Sequence, residues 1–285
     1  MARILVVLWI VTSVACVRAE LSVVYPASES ALDRRFDDLT LILRTALEKT
    51  RPDFGDFEMR SASAPMTSMR YSQELMAGRT PNVIWTSTSV ERETLLRPIR
   101  IPLRKGLLSY RVALTRAESQ PEIDKVKTVE DLATLTLAQG IGWGDILVFE
   151  ANGLTVSTSE YESLFRMIDA GRVDLFPRGI GEVFEEWTVR REVLPNLTIE
   201  PNLLLFYPWP YYFFVQKDNV ALAERLETGL LRMVEDGSFD AIFWHYHGEA
   251  IERARLPERR VIELTNPLLP PETPLDDARL WYQPS

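Results

Sequence analysis

Apolar positions along this chain alternate between two periods. Residues 21–25 (LSVVY) form a short β-branched run that reads as a strand. Leu39, Ile42, Leu43, Ala46 and Leu47 then recur at helical spacing. Residues 57–60 read as a second strand, 69–77 as a helix closed by Gly78, and 83–86 as a third strand. The first ninety residues thus spell β-α-β-α-β, the signature of an α/β lobe.

The rhythm repeats downstream. A proline-containing segment, RPIRIPLRK, leads into an apolar stretch at 107–114. Thr128 and Asp131 have capping-box spacing for a short helix. A strand at 135–139 precedes the Gly-rich turn GIGWGD and a helix at 146–152. A strand at 155–157 precedes a helix for which Ser159 is the expected N-cap and Glu162 its N3 partner. A strand is expected at 173–176. In residues 202–215, NLLLFYPWPYYFFV, Pro208 and Pro210 interrupt an apolar run and mark a crossing segment or hinge. Helices are expected at 221–235 and 240–255, and a last strand at 260–264. The Pro-rich tail should lie extended over the surface.

Residues 1–19 read as a secretory leader, with Arg3, an apolar core at 4–15, and Val17-Arg18-Ala19 at the cut. A lipoprotein cut before Cys16 is the other reading. The preferred cut leaves 266 of 285 residues and removes the single cysteine, so no disulfide is expected. It also removes two arginines and no acid, taking the net charge from −9 to −11. That balance argues against nucleic acid and anionic membranes as partners.

The order of landmarks resembles a family. AGRTPNVIWTSTSVERETLLRP, TVEDLATLTLAQGIGWGD, LFRMIDAGRVDLFPRG and YYFFVQKDNVALAERLETGLLRMVEDGSFDAIFWHYHG together resemble periplasmic solute-binding proteins of the amino-acid-binding type. The resemblance implies an α/β type II periplasmic-binding fold, two "Venus flytrap" lobes joined by crossing segments. The expected division is a leader at 1–19, a first lobe of 20–108 plus 210–264, a second lobe of 109–209, and a surface tail at 265–285. A small solute would sit between the lobes, where strand ends and helix N-termini converge.

The resemblance also nominates site residues. Arg92, in a Thr/Ser-x-x-Arg motif, would clamp a ligand carboxylate; its competing reading is a surface arginine paired with Glu91 or Glu93. Ser87 and Trp85 end the strand before it. Tyr25 and Thr67, with Met66 beside it, would form the first-lobe wall. Gln139, Gly142 and Trp143 would form the second-lobe loop. In DLFPRG, Arg178 stands where an aspartate for the ligand ammonium is expected. That points to an anionic or carboxylate-containing ligand, unless Arg178 pairs with Glu182 or Glu185. Glu182 or Asp145 could supply a carboxylate from elsewhere.

His245 and His247 lie two apart on a helix and so point away from each other, which disfavours a shared metal. No catalytic group, cofactor or metal site is nominated. The reading is a monomeric periplasmic receptor for an ABC importer, not an enzyme. A module acting on a membrane sensor is the alternative, and a cleft enzyme resembling cyclohexadienyl dehydratase the weaker one.

Overall fold

The computed structural model describes residues 21–28 and 34–284. The leader and Cys16 lie outside them. The chain runs β1 (Leu21–Tyr25), α1 (Asp37–Lys49), α2 (Arg51–Phe54), β2 (Phe57–Ser61), α3 (Ser68–Met76), β3 (Val83–Ser87), α4 (Val90–Leu95) and β4 (Leu96–Leu103). It continues through β5 (Tyr110–Arg116), α5 (Gln120–Ile123), α6 (Val129–Leu132), β6 (Thr136–Gly140), α7 (Asp145–Ala151), β7 (Thr155–Ser159), α8 (Tyr161–Asp169), β8 (Leu175–Gly179) and α9 (Ile180–Thr188). It ends with β9 (Leu197–Ile199), β10 (Leu203–Phe206), β11 (Tyr211–Gln216), α10 (Val220–Glu235), α11 (Ser238–Ala254) and β12 (Arg260–Glu263). Among the described residues, no helix is long and apolar enough to cross a membrane.

The first lobe holds a parallel β1-β2 pair and an antiparallel sheet in the order β3-β11-β4. Asn82 joins the two: its side chain accepts from Val24 N–H at 2.8 Å and donates to the Ser22 carbonyl at 2.8 Å. β4 carries two prolines, which an edge strand tolerates. The apolar stripe of α1 packs on Leu222, Leu226, Leu230 and Met233 of α10. Gly229 lets the helices touch, because a Cβ there would run into the Ala46 backbone.

The second lobe is one mixed sheet in the order β12-β10-β5-β8-β6-β7, with β9 also on β5. Thr128 and Asp131 form the expected capping box. The α8 cap is a correction: Ser159 is the last residue of β7, and Glu160 occupies the N-cap. A second correction concerns β12. Expected in the first lobe, it pairs in parallel with β10, Leu203↔Arg260 through Phe206↔Glu263.

Among the described residues the chain passes between the lobes at 104–109 and 207–210, and again along α11, which leads from α10 to β12. Residues 207–210 carry Pro208 and Pro210 between β10 and β11, as the sequence leads one to expect. In the crossing at 104–109, Arg104 (φ 57°), Lys105 (φ 50°) and Gly106 (φ 65°) are consecutively left-handed. The tail is a third correction. It is not confined to the surface: Leu280 and Trp281 enter the first-lobe core, and Tyr282 joins the second-lobe cluster. Trp281 occupies the space where a side chain on Gly106 would be, and Tyr282 N–H donates to the Lys105 carbonyl at 2.7 Å. Burial of an apolar triplet offsets the extended preference of the surrounding prolines.

Candidate functional site

The first-lobe wall is built on the Tyr71 hydroxyl. It accepts from the Ala27 and Met66 N–H groups, both at 3.0 Å, and so gathers the end of β1 and the start of α3. These segments, with Phe36 and Trp85, enclose a cavity of about 180 Å³. Thr67 lies in this wall and caps α3, accepting from Arg70 N–H at 3.3 Å. The Trp85 ring sits 6.2 Å from Tyr25, 5.6 Å from Phe36 and 6.4 Å from Phe213.

A larger cleft of about 1090 Å³ lies alongside, lined by both lobes. Arg35, Phe36 and Tyr211 border both spaces. On one side Arg104 grips Asp38 through Nε–Oδ2 at 2.6 Å and Nη2–Oδ1 at 2.8 Å, and His247 Nε2 lies 3.1 Å from Asp38 Oδ2. Burial pushes the Asp38 carboxyl up, but the bonds to Arg104 and His247 outweigh that and hold it well below the usual carboxylate range. On the other side Arg178 donates from Nε to Glu186 Oε2 at 2.7 Å and from Nη2 to Oε1 at 2.6 Å. Glu182 adds a contact at 3.0 Å. Burial works against the Arg178 charge, but Glu182 and Glu186 outweigh it, and its pKa rises.

The structure brings together some of the nominated residues and scatters others. Thr67 and Trp85 line the small cavity, with Met66 beside them. Trp143 and Arg178 line the large cleft. Tyr25 backs Trp85 from the core. Arg92 lines neither space. Its guanidinium folds back to donate to the Ser87 carbonyl at the end of its own strand, and burial lowers its pKa. Ser87 itself pairs with Tyr211 in the ladder. Gly142 takes a left-handed turn (φ 77°) outside both spaces. Gln139 is fully buried, and neither its Nε2 nor its Oε1 has a hydrogen-bond partner among the described residues. Asp145 is committed to Tyr207 Oη at 2.8 Å and Arg111 Nη2 at 3.1 Å.

Arg178 corrects the charge argument. It does face the cleft, but as a matched charge, so it does not mark a site for an anion. Its main partner, Glu186, lies on the same face of α9 as Glu182, four residues before it, a spacing visible in the sequence. Asp38, Arg104 and His247 were not nominated. They come from α1, the crossing and α11, and no local pattern joins them.

No family model matches the chain, and no curated protein does either. Solved structures do. An ancestral arginine-binding protein bound to arginine aligns with a TM-score of 0.52 and 19% identity, over 80% of this chain and 98% of its own. A structure from work on glutathione import through GshT and the cystine ABC importer TcyBC of Streptococcus mutans aligns with a TM-score of 0.54 and 13% identity, over 80% and 95%. The ancestral amino-acid-binding protein AncCDT-1, a precursor of cyclohexadienyl dehydratase, gives 0.52 and 14% over 79% and 94%. This is the two-lobed type II periplasmic-binding fold.

In a type II fold the space between the lobes is the natural place for a small molecule. Here it offers aromatic faces at Phe36, Trp143, Tyr161 and Tyr211 and arginine-carboxylate pairs already closed on themselves, and the adjoining first-lobe cavity adds Trp85 and the hydroxyls of Thr67 and Ser68. Among the described residues, no group of three or more His, Cys, Asp or Glu is placed to hold a metal ion.

Proposed function

We propose that the protein is a solute receptor acting outside the cytoplasm, which captures a small carboxylate-containing solute between its lobes. The observation that carries this reading is the first-lobe cavity. There Thr67 and Ser68 present the N-terminal turn of α3 beside Arg35 and the rings of Phe36 and Trp85. Helix N–H groups and a hydroxyl suit one end of a carboxylate. The rest of the solute extends into the larger cleft against Tyr211 and Trp143.

The solute's net charge is small. Arg104 is matched by Asp38, Arg178 by Glu186 and Glu182, and Arg190 by Glu162. A strongly anionic solute would find little uncompensated positive charge on that wall. Arginine and glutathione, the solutes named for two structural neighbours, both carry carboxylates and set the first class to test. The leader pattern supports a periplasmic site of action, and an ABC importer is the proposed membrane partner. A thermal-shift screen of amino acids, small carboxylates and short peptides tests the reading. A saturable rise in melting temperature with one class is expected. A folded protein that responds to none of them would overturn it.

A second reading, chemistry in the cleft, has one observation in its favour: His247 is held by Asp38 on the cleft wall. Asp38 is also gripped by Arg104, which suits a structural anion better than a base. Proton NMR of a bound solute that changes with time would promote this reading.

A further inference from the structure

The second-lobe wall contains a cation site that the chain fills with its own side chain. Arg178 is buried, with its guanidinium 4.8 Å from the Trp143 ring centre, 5.0 Å from Phe176 and 5.9 Å from Tyr161. Glu186 takes it in a two-bond fork and Glu182 adds a third oxygen contact. Aromatic faces and carboxylates around a planar monocation are the chemistry that recognises guanidinium and ammonium groups.

The walls of this cage are held by contacts that do not involve Arg178. Tyr161 Oη donates to Glu186 Oε1 at 2.7 Å. Gly179 N–H donates to Glu182 Oε2 at 3.2 Å. Trp143 is stacked on Phe176 at 6.1 Å and lies over Gly140, where any Cβ would collide with its ring. The cage is therefore a preorganised receptor for a cation, occupied from within and bordering the cleft.

We propose that Arg178 is the specificity-determining residue of the second-lobe wall. By occupying the cage, it denies that wall to the ammonium or guanidinium group of a solute. The cleft then selects solutes that bring no cation to this side. The proposal takes its meaning from the receptor reading above, but the cage is testable without knowing the solute.

The experiment is chemical rescue of Arg178→Ala in the full chain. Melting temperature is followed in millimolar guanidinium or methylguanidinium chloride, against equal sodium chloride and urea. The variant is expected to melt below wild type and to recover part of the loss saturably with either guanidinium salt only. Wild type should show no such recovery, and Arg178→Ala combined with Glu186→Gln should lose it. A variant with a native circular-dichroism spectrum that responds to guanidinium no more than to sodium chloride overturns the proposal. If Arg178→Ala folds only in methylguanidinium, the cage is supported. If it folds in no guanidinium compound, the cage is not preorganised and the proposal fails. Rescue of the variant with no solute bound by wild type would keep the cage and sink the receptor reading; the reverse pattern would do the opposite.

Discussion

Arg178 and Glu186, eight residues apart, meet as a two-bond fork beneath the Trp143 ring. A cation on the cleft wall is thereby neutralised by the chain's own carboxylates. The electrostatics of the cleft depend on which pairs close internally and not on how many arginines border it.

Glu186→Gln should be strongly destabilising. It leaves a buried guanidinium with only the half-exposed Glu182 as ionic partner. Breaking one side of a buried pair costs about 3 kcal/mol. Urea denaturation should show this loss, and a change below about 1 kcal/mol would mean that water or Glu182 replaces the fork.

Arg92→Ala should affect stability and leave solute binding intact. Its guanidinium serves the Ser87 carbonyl and lines neither space. Loss of a charged hydrogen bond to a partly buried carbonyl costs about 1.5 kcal/mol. Calorimetric titration with the best solute from the thermal screen should give an affinity close to wild type. A tenfold weaker affinity would restore Arg92 to the site.

Trp281→Ala should loosen the junction between the lobes. The indole fills the space over Gly106 in the crossing, and its Nε1 donates to the Pro274 carbonyl at 2.7 Å. Removing a buried tryptophan costs about 3 kcal/mol or more. Hydrogen exchange should quicken across 104–110. Unchanged exchange there would show that the tail is a passive covering.

The Asp38 cluster predicts a pH dependence. Its carboxyl is lowered from an ordinary value of 3.8 when folded, because Arg104 and His247 outweigh burial. A lowered folded value means that the stabilisation is complete at neutral pH. It is lost as pH falls below about 4, the unfolded value, toward the folded one. Asp38→Asn should remove this term, so its stability should fall less steeply than that of wild type between about pH 5 and pH 3. Equal slopes would contradict the assignment.

Much of the fold was legible because it rests on local physics. The α1 stripe, the Thr128–Asp131 capping box and the prolines of the 207–210 crossing act within a few residues of themselves. What stayed hidden depends on distant partners. Nothing in 260–263 says that it will pair with β10, since strand partner choice is set by the whole sheet. Phe36 and Asp38 precede the helical stripe that begins at Leu39, and only α11 and the crossing give Asp38 its partners. The burial of Leu280, Trp281 and Tyr282 did have a signal, an apolar triplet amid prolines, which the extended reading of the tail overrode.

Hydrogen–deuterium exchange with and without the best-stabilising solute tests the central claim most directly. Capture between the lobes predicts simultaneous protection of the first-lobe wall at 66–68 and 84–86 and of the second-lobe wall at 143–145 and 178–186. Protection confined to one lobe, or falling away from both walls, would contradict it.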